Sequence, residues 1–316
     1  MAGQSHRSFI MQPSFDPSAA HFASRYVSAF AALPFAMQYG FAVVFGLVIG
    51  SFLTVVVHRL PVLLERAWRA EVDAAMPDAA DLPKPAADPY PERFNLAVPR
   101  SACPHCKHVL RAWENIPVIS YLALRGRCSA CGARVSPRYP LIELATGALA
   151  ALSLYAFGPS WPAVAAFGLC ATLLAAGLID YDTRYLPDVL TLPLLWAGLI
   201  VNFGEGGFAT LHDAVTGAIA GYLFLWCVYW LFKLVRGVEG MGYGDFKLLA
   251  AIGAWLGWAS LAQVLLIAAV AGAAFGIVAT WKKRMRFEEP LPFGPFLAAG
   301  GAITLFVGTP LYALFG

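Results

Sequence analysis

Long apolar runs separated by short polar breaks dominate the chain after its first 34 residues. A helix needs about 20 apolar residues to cross a bilayer. The first such run extends from about Phe35 to Val57 and meets a polar boundary at His58-Arg59-Leu60-Pro61. Others cover 141–157, 161–179, 189–203, 213–235, 248–259, 261–281 and 294–315. The runs are continuous, unlike the short alternating segments of a membrane β-barrel. The pattern therefore predicts an all-α polytopic membrane protein of about eight transmembrane helices. The sixth run, 248–259, is short for a span and is expected to tilt, break or merge with its neighbour.

Between the first and second runs lies a polar block, 61–137, which contains four of the six cysteines. The expected organisation is a tail (1–34), a first transmembrane helix (35–60), this block, and a helical membrane domain (138–316). The tail lacks a basic stretch beside a short apolar core, so a mobile tail is expected in place of a signal peptide. Residues 74–91 are rich in Ala, Pro and Asp and read as a linker.

Composition supports the membrane class. The chain has 316 residues, 59% hydrophobic and 13% charged, against roughly 25% charged in soluble domains, and its mean hydropathy is +0.65. With an N-terminus outside and eight crossings, 20 of the 22 Lys and Arg residues fall on one side of the membrane. The opposing loops near 158–160 and 202–212 carry none. Positive residues favour the cytoplasm, so the cysteine block is predicted inside, as are Asp180 and Asp245.

Cys103-Pro104-His105-Cys106 and Cys128-Ser129-Ala130-Cys131 form two C-x-x-C knuckles with 21 residues between them. Two such knuckles can supply a tetrahedral S₄ set for Zn²⁺. Redox or plain structural thiols are the alternative. A cytoplasmic location disfavours structural disulfides. The expected zinc is structural, since a catalytic site would keep a position open. His105 and His108 are alternative ligands, while Cys170 and Cys227 lie in apolar runs and receive no role.

Two acids stand at the margins of apolar runs, Asp180 after Gly177-Leu178-Ile179 and Asp245 in Gly242-Tyr243-Gly244-Asp245-Phe246-Lys247. Embedded carboxylates are costly without a partner or a role, and a pair on one face suits general acid–base chemistry. Asp245 could instead cap a helix beginning at Phe246. Asp188 follows Pro187 and reads as an N-cap, and Asp182 as a solvated loop acid. Glu143 is a further acid on the same face, and Lys247 can balance charge or snorkel.

Several segments in order resemble the type IV prepilin peptidases. They are Gly50-Ser51-Phe52-Leu53, Arg59-Leu60-Pro61, Pro99-Arg100-Ser101-x-Cys103-Pro104-x-Cys106, Asn115-Ile116-Pro117 and Arg125-Gly126-Arg127-Cys128. Arg138-Tyr139-Pro140, Glu143-Leu144, Leu178-Ile179-Asp180, Leu186-Pro187-Asp188 and Gly242-x-Gly244-Asp245-x-Lys247 continue the likeness. Thr54 departs from it, standing where that family usually reads Asn. The resemblance implies a leader peptidase of the bacterial inner membrane, with its active site facing the cytoplasm. It also implies N-methylation of the new N-terminus from S-adenosylmethionine, and prepilin or type II secretion pseudopilin substrates. By the same resemblance Asp180 and Asp245 are catalytic, and Cys103, Cys106, Cys128 and Cys131 form the cytoplasmic cysteine motif. The lipid bilayer is the other expected partner; nucleic acid is not.

Two other classes compete. A transporter with an acidic ion relay would place its acids near midspan with broken helices around them. A thiol–disulfide oxidoreductase would need a thioredoxin-like βαβ pattern around a C-x-x-C, which this sequence lacks.

Overall fold

The computed structural model describes residues 26–75, 90–204, 206–237, 241–281 and 291–308. Within the described residues, each apolar run forms a helix over most of its length. The principal helices are α1 (Phe35–Ala75), α2 (Arg138–Phe157), α3 (Trp161–Thr183), α4 (Asp188–Phe203), α5 (Leu211–Arg236), α6 (Tyr243–Leu256), α7 (Leu261–Trp281) and α8 (Gly294–Val307). Among the described residues the only β-pairing is two isolated bridges. Among the described residues five helical segments are long and apolar enough to cross a membrane: α1, α2, α3, α5 and the Trp258–Trp281 segment that contains α7. Helices α4 and α8 are apolar but shorter. The count of full-length candidates is thus five, where the sequence pattern suggested eight.

Helix α6 explains part of that difference. Its 14 residues reach only about 21 Å at 1.5 Å each, and Phe246, Leu248, Leu249, Ala251, Ile252 and Ala254 are wholly enclosed by protein. Small residues allow this enclosure. The backbones of Gly217 on α5 and Gly253 on α6 touch, and a Cβ on Gly221 would lie 2.8 Å from the Leu249 carbonyl oxygen. Such small-residue crossings suit association where solvent gives no hydrophobic drive. Gly257, at a positive φ of 79°, ends α6 and lets the chain turn toward α7. Asn202 closes the same end, donating to the carbonyls of Ala254 and Trp255 while accepting from the amides of Phe208 and Ala209.

Helix α1 does not stop at Leu60. It continues through Pro61 for a total of 41 residues, about 62 Å at 1.5 Å per residue, twice the hydrocarbon thickness of about 30 Å. Residues 62–75 are rich in Leu, Glu, Arg and Ala, good helix formers, so the helix tolerates the one amide that Pro61 withholds. The projecting part holds the cysteine block. The Arg59 guanidinium donates to the carbonyls of Asn95 and Pro99, and Arg66 donates to those of Tyr90 and Pro91. Both also lie over the Phe94 ring.

Part of the expected mobile tail is ordered. Residues 26–31 are helical, Phe30 packs edge-on against Phe41, and Gln38 donates to the carbonyls of Ala31 and Leu33. The remainder of the tail and most of the expected linker lie outside the described residues.

Candidate active site and metal centre

Helix termini gather at one end of the bundle to form the candidate active site. Asp180 lies near the C-terminus of α3, and Arg184 ends that helix in the left-handed conformation, its amide bonded to the Asp180 carbonyl. The chain then passes through Leu186 and Pro187 into α4. Asp245 occupies the first turn of α6, which begins at Tyr243 with Gly242 as N-cap. Asp180 and Asp245 are only 6% and 7% exposed; Gly294, bonded to Asp180, and Gly244, next to Asp245, both pack against Leu186.

Three close contacts fix this arrangement. The Gly294 amide, at the start of α8, donates to Asp180 Oδ2 at 2.9 Å. A Cβ on Gly294 would lie 2.7 Å from that same oxygen, so only glycine allows so close an approach without movement. Leu186 is buried against both glycines: a Cβ on Gly244 would meet its Cβ at 2.6 Å, and one on Gly294 would meet its Cδ1 at 3.1 Å. The Lys247 ammonium bonds both oxygens of Asp188 at 2.7 Å, tying α6 to α4.

Several sequence readings change here. Asp188 is not an N-cap: Pro187 holds that position, and the Asp188 carboxylate is occupied by Lys247. Asp245 does not cap a helix from Phe246, because the helix starts two residues before it. Asp182 is paired with Arg138 at the start of α2. Glu143 joins neither aspartate. It is buried in α2, where its carboxylate accepts from the Val118 amide at 2.8 Å and contacts Ser51. The Thr54 hydroxyl bonds the Ser51 carbonyl within α1. Gly294 escaped the sequence reading of the site, and Leu186 entered it only as part of the Leu186-Pro187-Asp188 motif, without a role; the Pro292-Phe293-Gly294-Pro295 break beside an apolar run was the available signal for the first.

Both key aspartates stand at helix ends on one side of the bundle, not at midspan as an ion relay would require.

The four cysteines converge as expected. The sulfurs of Cys103, Cys106, Cys128 and Cys131 lie within 4.8 Å of one another, with Cys103–Cys131 and Cys106–Cys128 each at 3.9 Å. Tetrahedral Zn–S bonds of about 2.3 Å imply S···S edges of about 3.8 Å, whereas a disulfide would require about 2.05 Å. The donor set therefore fits a zinc ion. The two knuckles repeat one backbone pattern: Cys103 N–H to His108 O and Lys107 N–H to Cys103 O match Cys128 N–H to Ala133 O and Gly132 N–H to Cys128 O. Lys107 and Gly132 hold equivalent positive-φ positions.

Glu114 joins the knuckles independently of any metal. Its carboxylate accepts from the Arg111 amide and the Ser129 hydroxyl and contacts His108. These bonds, led by the Arg111 amide, hold it down at about 2 from an ordinary 4.5. His108 thus serves Glu114 in place of a metal.

Comparison with known proteins identifies the family. Residues 44–157 match the bacterial peptidase A24 N-terminal domain, and residues 167–277 match the type IV leader peptidase family. A prepilin leader peptidase/N-methyltransferase of Burkholderia pseudomallei is 68% identical over 291 residues, covering 92% of each chain. The protein of that name from Stutzerimonas stutzeri is 52% identical, over 86% of this chain and 91% of its own. That from Pseudomonas aeruginosa is 51% identical, over 84% and 89%. No solved structure matches.

Proposed function

The chain belongs to the type IV leader peptidase family, and from that premise we propose that its leader cleavage is carried by Asp180 and Asp245. It is an aspartic peptidase that removes the leader of prepilins and N-methylates the product. The observation that carries the catalytic assignment is two buried carboxyl groups, from α3 and α6, on either side of Leu186, one of them held by the Gly294 amide.

Water is the nucleophile. One carboxylate takes its proton as it attacks the scissile carbonyl; the other carboxyl, protonated, donates to the amide. Two adjacent carboxyls share a proton because they do not readily ionise together, and the pair titrates jointly. The Lys247–Asp188 pair and Leu186 hold α6 in place against α3 and α4, which keeps both acids in position.

The cytoplasmic side is our assignment for this end of the bundle. Arg138, Arg184, Lys233, Arg236 and Lys247 lie at the helix ends there, and the opposite loops carry no Lys or Arg. A short basic leader would remain on that side while the apolar pilin helix lies in the inner membrane. Pilin-like subunits of type II secretion fit the same requirements.

Cys103, Cys106, Cys128 and Cys131 would hold a structural zinc. With four protein thiolates the ion crosslinks the two knuckles and leaves no position for substrate. S-adenosylmethionine is the methyl donor we assign to the second activity.

The test is mass spectrometry of a prepilin co-expressed with the protein. The wild type should yield a product lacking its leader and bearing one methyl group at the new N-terminus. Asp180→Asn and Asp245→Asn should each leave the precursor intact while accumulating in the membrane as folded protein. Cleavage at the wild-type rate by either variant would remove that residue from the pair.

A further inference from the structure

The cysteine block exposes a ridge of apolar side chains that nothing among the described residues covers. Trp113, Ile116, Ile119 and Leu122 recur every three residues, and all are exposed, Ile119 and Leu122 to 63% and 68%. Ile119 and Leu122 belong to the one-turn helix Ile119–Ala123, where residues three apart share a face. Aqueous surfaces rarely present such patches without a partner.

The position of the ridge identifies what covers it. The Val118 amide, immediately before the turn, bonds Glu143 at 2.8 Å. Glu143 lies five residues into α2, about 7–8 Å along a membrane-spanning helix. The turn is therefore held level with the first part of that span. Nearby on α2, Tyr139, Leu141 and Leu144 are exposed and apolar, so the ridge continues the lipid-facing surface. Charge follows the same order: Arg125 and Arg127 directly follow the turn, Arg111 precedes it, and all three are exposed. Apolar side chains at acyl depth with cations at headgroup level are the pattern of an interfacial segment.

We propose that the Ile119–Ala123 turn inserts Ile119 and Leu122 into the bilayer interface, with Arg111, Arg125 and Arg127 toward anionic phosphates, seating the cysteine module on the membrane. This rests on the reading of the bundle as membrane-spanning. The seat would hold the module where a new pilin N-terminus emerges.

Site-specific photocrosslinking of the full-length protein in nanodiscs tests it. The discs would contain phosphatidylcholine and phosphatidylglycerol, and each variant would carry p-benzoylphenylalanine at one position. Leu122→p-benzoylphenylalanine should gain the mass of one phospholipid, with phosphatidylglycerol enriched over its share of the bilayer. Ala130→p-benzoylphenylalanine, on the exposed second knuckle, should gain none. Ile277→p-benzoylphenylalanine, on the lipid-facing side of α7, reports on the bundle itself. Lipid adducts at 277 without any at 122 would overturn the interfacial seat and leave the spanning bundle intact. Loss of adducts at both would reject the spanning bundle as well. A Leu122 probe that captures added prepilin in place of lipid would also overturn the proposal, marking the ridge as a substrate surface. Adducts that merely follow the lipid composition would overturn the role given to the arginines.

Discussion

Gly294→Ala is the sharpest test of how the active site is held. The added methyl group would lie 2.7 Å from Asp180 Oδ2, 3.0 Å from its Cγ and 3.1 Å from Leu186 Cδ1. All three distances are too short, so the carboxyl must rotate away or α8 must shift, and either movement lengthens the 2.9 Å bond from the Gly294 amide. Overpacking of this kind costs about 1–3 kcal/mol, well within a typical stability of about 5–15 kcal/mol. The bundle therefore still folds. When Asp180 carries the charge of the pair, the lost bond amounts to about 1.5–3 kcal/mol. At about 1.36 kcal/mol per tenfold in rate, cleavage should fall about 10- to 150-fold. The assay is kcat/KM for cleavage of a purified prepilin by the reconstituted enzyme, together with its thermal midpoint. Gly168→Ala is the control: it lies in the same helix as Asp180 with nothing within 4 Å of its added Cβ, and should leave the rate unchanged. If Gly294→Ala cleaved within twofold of wild type, the Gly294 contact would not be what sets the geometry of Asp180.

Three other changes probe separate parts of the fold. Asp182→Asn removes only the exposed pair with Arg138, worth about 0–1 kcal/mol, so both stability and cleavage should remain near wild type; an abolished rate would place Asp182 in the reaction. Gly50→Ala puts a methyl group 2.7 Å from the Glu143 Cα, a backbone atom that moves only with its helix, and should destabilise the α1–α2 contact by about 1–3 kcal/mol, read as a lower thermal midpoint. Glu114→Gln tests the metal-independent link between the knuckles through hydrogen-exchange protection of residues 101–135. Because folding lowers the Glu114 pKa from 4.5 to about 2, its contribution is complete above 4.5 and is lost as pH falls toward 2. The difference in protection between wild type and variant should hold from pH 8 to 5 and shrink only below that window; a difference that disappears near pH 7 would contradict the assignment.

The helices, the cysteine cluster and the placement of two acids at helix ends were legible because each is encoded locally. Apolar length marks a helix, paired knuckles mark a thiolate set, and an acid at the edge of an apolar run is too costly to stand there without purpose. What escaped depends on distant contacts. Nothing near Asp188 announces Lys247, 59 residues further on, so a local N-cap was the natural reading. Gly294 reaches Asp180 from 114 residues away. The 41 residues of α1 were underestimated because hydropathy ends at Val57, whereas helix propensity and the Arg59 and Arg66 contacts carry the backbone on to Ala75. The run at 248–259 looked like a poor span because it is short; that α6 is sheltered by protein instead of lipid is something periodicity alone does not distinguish.

The most direct measurement of the central claim separates the two activities in one reconstituted preparation. Wild type, Asp180→Asn and Asp245→Asn are each given a prepilin, or a synthetic mature pilin with S-adenosylmethionine, and the pilin N-terminus is weighed by mass spectrometry. The account predicts that both variants leave the prepilin uncut yet methylate the mature pilin as the wild type does. Cleavage by either variant at the wild-type rate would contradict it.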